Sequence, residues 1–164
     1  REPNLLFKAF TIYVRPLLEY CSPVWSPVYK TDIELIERVQ RAFTKRLYGF
    51  KYLSYSERLF LLHAETLELR RLKADLVMLY KIVHNLVALN FVEFFAYNNC
   101  SITRGHDYKL VKPLCVNNAR QFSFSCRLVD AWNFLPNCAV SSNSLIAFKN
   151  MLDNCNLNKF LLVV

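Results

Sequence analysis

Glycine is nearly absent from this 164-residue chain, which contains only Gly49 and Gly105. A phosphate-cradling P-loop and a dinucleotide fingerprint each need several glycines within one turn, so both are excluded, and nucleotide-cofactor enzymes are disfavoured. Long apolar runs are missing as well. The most apolar stretch, Leu86 to Ala96, is broken by Asn90 and Glu93 and falls short of the roughly 18 residues needed to cross a bilayer, so no membrane span is expected. The charged-then-apolar layout of an export signal is also lacking, which favours an intracellular location. No CxxC pair occurs. The six cysteines, Cys21, Cys100, Cys115, Cys126, Cys138 and Cys155, are scattered through a chain large enough to fold without staples, which predicts reduced core thiols. The initiator methionine is missing too; Arg1 already reads as the approach to a helix, so a cut edge is expected there.

Hydrophobic residues, by contrast, make up 54% of the chain and aromatics 15%, enough for a real core and against disorder. The apolar share exceeds the usual need of a small domain, so part of it is expected to cover a neighbouring domain. The net charge of +8 is unevenly spread, with −1 over residues 1–37, +6 over 38–81 and +3 over 82–164. Positive charge concentrated in the middle of a chain attracts phosphate or another anionic surface.

The spacing of apolar residues predicts helices almost throughout. Pro3 to Tyr20 carries helical periodicity with a kink or early stop at Pro16, and Cys21 to Tyr29, with Pro23 and Pro27 around Trp25, reads as an irregular connector. Thr31 and Glu34 have capping-box spacing, which predicts a helix from Asp32 with Ile33, Ile36, Val39, Phe43 and Leu47 on its apolar face and a stop at Gly49. Ser54 and Glu57 repeat the same logic for a short helix to about His63. A further start near Thr66 opens a helix over 67–87, whose Leu69, Leu72, Leu76, Leu79, Val83 and Leu86 form a seam expected to pack against the helix from Asp32 to Leu47. Residues 98–118 are polar, with a β-like run near Tyr108 to Val111, and read as a loop or small hairpin. Two later helices are expected over 122–134, stopped by Pro136, and over 145–154, capped near Ser144. The fold class is therefore all-α, a multi-helix bundle with a small irregular or hairpin region around 98–118.

Catalytic chemistry finds little support. His63, His84 and His106 lack partners at metal-ligand spacing, and Cys100, His106 and Cys115 do not fit a structural zinc pattern. Asp75, Asp107, Asp130 and Asp153 lack the close pairing that two-metal phosphoryl transfer uses. No nucleophile with an adjacent base is marked. Basic residues on helices remain: Arg38, Arg41, Lys45 and Arg46 on one, Arg70, Arg71, Lys73 and Lys81 on another. Residues three or four apart share a face, so each row serves either as a phosphate-contacting surface or as the ordinary solvated side of an amphipathic helix. Tyr48, Tyr52 and Tyr55 nearby suit either stacking on bases or core packing.

The segment YVRPLLEYCSPVWSPVYKTDIELIERVQRAFTKRLYG, from Tyr13 to Gly49, resembles the region that follows the polymerase palm in non-LTR retrotransposon reverse transcriptases of the jockey-like group. The resemblance continues in order through LSYSERLFLLHAETLELRRLKADLVMLYKIVHNL, TRGHDYKLVKP, RLVDAWNFLP and SLIAFKNML, covering nearly the whole chain. It implies a thumb-like helical region over 1–90 and a C-terminal helical extension over 91–164. The implied partners are an RNA template, a DNA primer and the missing palm domain, and the implied setting is nuclear and cytoplasmic. Catalysis in such enzymes lies in palm aspartates that bind divalent metal and in a separate endonuclease. The resemblance therefore assigns this fragment no enzymatic activity, catalytic residue or cofactor of its own. Trp25 and Trp132 match the family pattern and are expected in the core. Arg104, Gly105 and His106 match a loop that either touches nucleic acid or forms a turn pinned by polar contacts. The expected role is non-catalytic holding of the template–primer through Arg38, Arg41, Lys45, Arg46, Arg70, Arg71, Lys73, Arg104 and His106. The alternative is a helical module that docks on the palm without touching nucleic acid.

Overall fold

The computed structural model describes residues 2–98 and 106–163. The fold is all-α: among the described residues there is no strand, only an isolated antiparallel bridge between Tyr97 and Leu110. The chain divides into two compact units, Arg1–Leu72 with Leu161–Val164, and Lys73–Phe160.

In the first unit α1 (Pro3–Tyr13) starts with proline at its first position, where the missing backbone donor costs nothing. Pro16 sits in the first turn of α2 (Arg15–Glu19), and Val14 joins the two helices, so of the expected kink or early stop it is the early stop that occurs. The connector that follows contains one short helix, α3 (Ser22–Trp25), entered through Cys21 at φ 52°. Trp25 is 41% exposed and its indole N–H donates to the Tyr20 carbonyl at 2.5 Å, which corrects its expected place in the core. A four-residue helix offers too little surface to cover a ring of that size.

The principal helix here is α4 (Lys30–Lys45), and it departs from expectation in two ways. It begins before Asp32, with Tyr29 as the extended cap residue and no side-chain cap, because Thr31 is already inside the helix. Its fully buried positions are Ile33, Glu37, Gln40, Thr44 and the following Leu47; Ile36 and Phe43 are only half-buried, and Val39 is 40% exposed. Phe43 stacks on Phe10 of α1 with ring centroids 4.6 Å apart, in a cluster of Phe7, Phe10, Leu47 and Leu62. Gly49 takes φ +82° four residues past the end of α4, a conformation that side chains disfavour. In α5 (Tyr55–Leu61) the Ser54–Glu57 capping box forms as the spacing predicts. The helix closes with His63 at φ 47°, its N–H bonded to the Phe60 carbonyl and that of Ala64 to Leu59, the Schellman pattern.

Helix α6 (Leu67–Val83) contributes its start to the first unit and its remainder to the second. Thr66 caps it through the Leu69 N–H. It ends four residues earlier than the apolar seam suggests, because Asn85 adopts φ 53° and the Asn85 and Leu86 N–H groups return to the carbonyls of Ile82 and Lys81. Of the seam, Leu76, Leu79 and Val83 are buried in the second unit, while Leu86 is 55% exposed beyond the helix. Within the first unit, the apolar contact of α4 is with α1, through the Phe43–Phe10 stack.

The second unit continues with α7 (Phe91–Phe94), α8 (Asn118–Gln121), α9 (Phe124–Arg127), α10 (Val129–Phe134), α11 (Asn137–Val140) and α12 (Leu145–Asp153). The expected single helix over 122–134 is two, separated at Leu128, with extended Ser123 setting the start. Leu135 turns extended before Pro136, and Ser144 caps α12 through the Ala147 N–H at 3.1 Å. Trp132, with no exposed surface, lies at the centre; Tyr80 and Phe148 stack beside it with centroids 4.3 Å apart. Of the loop or small hairpin read from 98–118, the described residues show one isolated antiparallel bridge, Tyr97 to Leu110. There Asn98 and Val111 donate to Lys109 and Ala96, and the Asn133 amide grips both backbone groups of Leu110 at 2.8 Å.

Of the five described cysteines, all free thiols, only Cys126 is fully buried; Cys21 and Cys138 are exposed, and Cys115 and Cys155 are half-buried. That corrects the expectation of core thiols. Cys100 lies outside the described residues. No helix among the described residues is long and apolar enough to cross a membrane.

Candidate nucleic-acid interface

A buried polar network sets the position of α4. The Glu37 carboxylate accepts the Leu67 backbone N–H at 2.9 and 3.2 Å, at the positive end of α6, and also the Tyr55 hydroxyl. Gln40 donates to the Glu65 carbonyl at 2.9 Å and to the Tyr55 hydroxyl at 3.0 Å, and Thr44 donates back to the Gln40 carbonyl. Arg58, itself buried, donates to the Arg41 carbonyl at 2.9 Å. Burial, followed by the Glu37 charge, pushes the Tyr55 hydroxyl far above the usual tyrosine range, so it stays a donor. One side of α4 is thereby fixed to α5 and to the start of α6.

The other side carries the cations. Arg38, Arg41, Lys45 and Arg46 are all exposed, and among the described residues none of them is in an ion pair. The Arg41 guanidinium lies 4.8 Å from the centre of the Tyr55 ring, a contact that orders it and leaves its charge uncompensated. Two surface hollows flank the row. Thr31, Glu34, Leu35, Arg38 and Arg41 line the first, and the Glu34 carboxylate there opposes an anion. Lys45, Arg46, Leu47, Tyr48, Gly49 and Lys51 line the second, which offers three cations and no carboxylate. Tyr48 and Tyr52 are 82% and 91% exposed, whereas Tyr55 turns inward. Lys51 escaped the reading of the sequence because it follows the Gly49 turn, outside any helical period.

The basic residues on α6 are placed differently. Arg70 forms a two-pronged pair with Glu19, at 2.5 and 3.0 Å, and Arg71 is 2% exposed. Lys73 is paired with Asp153 at 2.6 Å, its side chain 12% exposed, and Lys81 is half-buried. His106 is buried against Trp132, with Nε2 3.2 Å from the Trp132 carbonyl oxygen, and burial holds its pKa below the usual histidine value. Arg70, Lys73 and His106 are thus engaged with partners inside the protein. Arg104 and Gly105 lie outside the described residues.

Asp75 pairs with Arg127 at 3.0 Å, Asp130 with Lys112, and Asp153 with Lys73, so three of the four aspartates weighed for metal chemistry are engaged with cations. No cluster of three potential metal ligands occurs among the described residues. No protein-family model, curated protein or solved structure matches the chain.

Proposed function

We propose that this chain is a non-catalytic part of an RNA-directed DNA polymerase of the non-LTR retrotransposon kind, and that it holds the template–primer through the exposed face of α4. The family reading rests on the ordered motifs of the sequence. The observation that favours the holding role is the contrast between two similar basic rows: Arg70 and Lys73 are paired with carboxylates and Arg71 is buried, while Arg38, Arg41, Lys45 and Arg46 stand exposed without one among the described residues. A cation that meets no carboxylate within its own protein loses no ion pair on meeting a phosphate. The polar network on the opposite side fixes the helix, so little ordering cost is added on binding.

The test is binding of an RNA–DNA primer–template duplex by the wild-type chain and by a variant carrying Arg38→Glu, Arg41→Glu, Lys45→Glu and Arg46→Glu. At low salt the variant is expected to bind at least tenfold more weakly. Equal binding sinks the holding role and leaves the second reading, a helical module that docks on the palm. That reading draws on the exposed apolar side chains of α1 to α3, among them Leu5, Ile12, Leu17 and Val24 at 65%, 54%, 78% and 83% exposure.

A further inference from the structure

Cys115 and Cys126 are the one pair of cysteines recorded in sulfur–sulfur contact among the described residues, with Sγ atoms 3.5 Å apart. Cys115 lies half-buried on the segment that follows the Tyr97–Leu110 bridge, and Cys126 lies in α9 at 2% exposure. Closing the pair to a bond of about 2.05 Å requires the sulfurs to approach by only about 1.5 Å. We propose that Cys115 and Cys126 form a thiol–disulfide modification site, oxidised to an intramolecular disulfide by low-molecular-weight disulfides of the glutathione type.

The chemistry divides between the two sulfurs. Cys115, the more accessible, attacks the oxidant RS–SR; a bond forms from its sulfur to one RS group and the other leaves as thiolate. Cys126 then attacks the Cys115 sulfur, forming the internal bond and expelling the second RS thiolate. The two cysteine protons end on the two RSH products, so the protein loses two electrons and the oxidant gains them. Accessibility gives Cys115 the first step, and the surroundings favour the second, the attack by Cys126. Burial opposes the Cys126 thiolate, but hydrogen bonds from Ser123, Cys115 and Ser125, with the Arg120 charge nearby, outweigh it and draw its pKa below the usual thiol value. Burial and the contact with Cys126 push Cys115 the other way. The product would tie the segment after the bridge to α9, whose Arg127 is anchored on Asp75.

The test exposes the folded full chain to glutathione disulfide, quenches with iodoacetamide and maps the peptides by mass. The expected result is a Cys115–Cys126 crosslink, reversed by excess glutathione and accompanied by a rise in Tm of several degrees as the loop is closed. In Cys126→Ser the reaction should stop at a glutathione adduct on Cys115. Recovery of Cys115 and Cys126 as alkylated thiols, while exposed Cys21 and Cys138 carry the oxidation, overturns the proposal.

Discussion

Trp132→Ala is expected to lower the stability of the chain by about 3–5 kcal/mol, the range for deleting a large aromatic ring from a core that relaxes incompletely. Trp132 has no exposed surface and meets Phe148 and His106 with ring centroids 6.2 and 6.1 Å away. Its indole N–H donates to the Tyr108 carbonyl at 2.8 Å, so the truncation also orphans an acceptor beside the Tyr97–Leu110 bridge. Against a typical total of about 5–15 kcal/mol, a loss of this size shifts a urea midpoint conspicuously. Trp132→Phe keeps most of the ring and should cost about half as much, separating packing from the hydrogen bond. A midpoint for Trp132→Ala equivalent to less than about 1 kcal/mol contradicts its central place.

Glu37→Ala is expected to cost about 3 kcal/mol, through a different mechanism. The carboxylate is 2% exposed and serves two donors, the Leu67 N–H and the Tyr55 hydroxyl. Alanine leaves both buried without an acceptor and removes a negative charge from the positive end of α6. Native-state hydrogen exchange should show the Leu67 amide losing protection in this variant, alongside the fall in unfolding midpoint. Glu37→Gln retains one oxygen acceptor and should lose less. Full protection of the Leu67 amide in Glu37→Ala contradicts the anchoring role.

The local features were the most legible in the sequence. The Ser54–Glu57 box and the Ser144 cap involve residues three apart, and both form as their spacing predicts. Thr31 and Glu34 share that spacing, but a capping hydroxyl needs extended backbone at its own position, and that conformation belongs to Tyr29. The buried face of α4 is not legible in the sequence, for a reason of distance. Positions 33, 37, 40, 44 and 47 keep a helical repeat, yet three of them are polar, and what makes their burial tolerable includes partners at Tyr55, Glu65 and Leu67, 15 to 30 residues away. The two basic rows look alike as sequence for the same reason. Only the fold brings Glu19 to Arg70 and Asp153 to Lys73, across 51 and 80 residues. The two tryptophans likewise sit in similar apolar settings in the sequence, and only the structure separates exposed Trp25 from buried Trp132.

The most direct test of the α4 face as a phosphate-contacting surface is the salt dependence of primer–template affinity. It should be measured for the wild-type chain and for a variant with Arg38→Gln, Arg41→Gln, Lys45→Gln and Arg46→Gln. Each phosphate neutralised contributes about 0.9 to the slope of log affinity against log salt, so four such contacts predict a slope shallower by about 3.6 in the variant. Two parallel lines would contradict it.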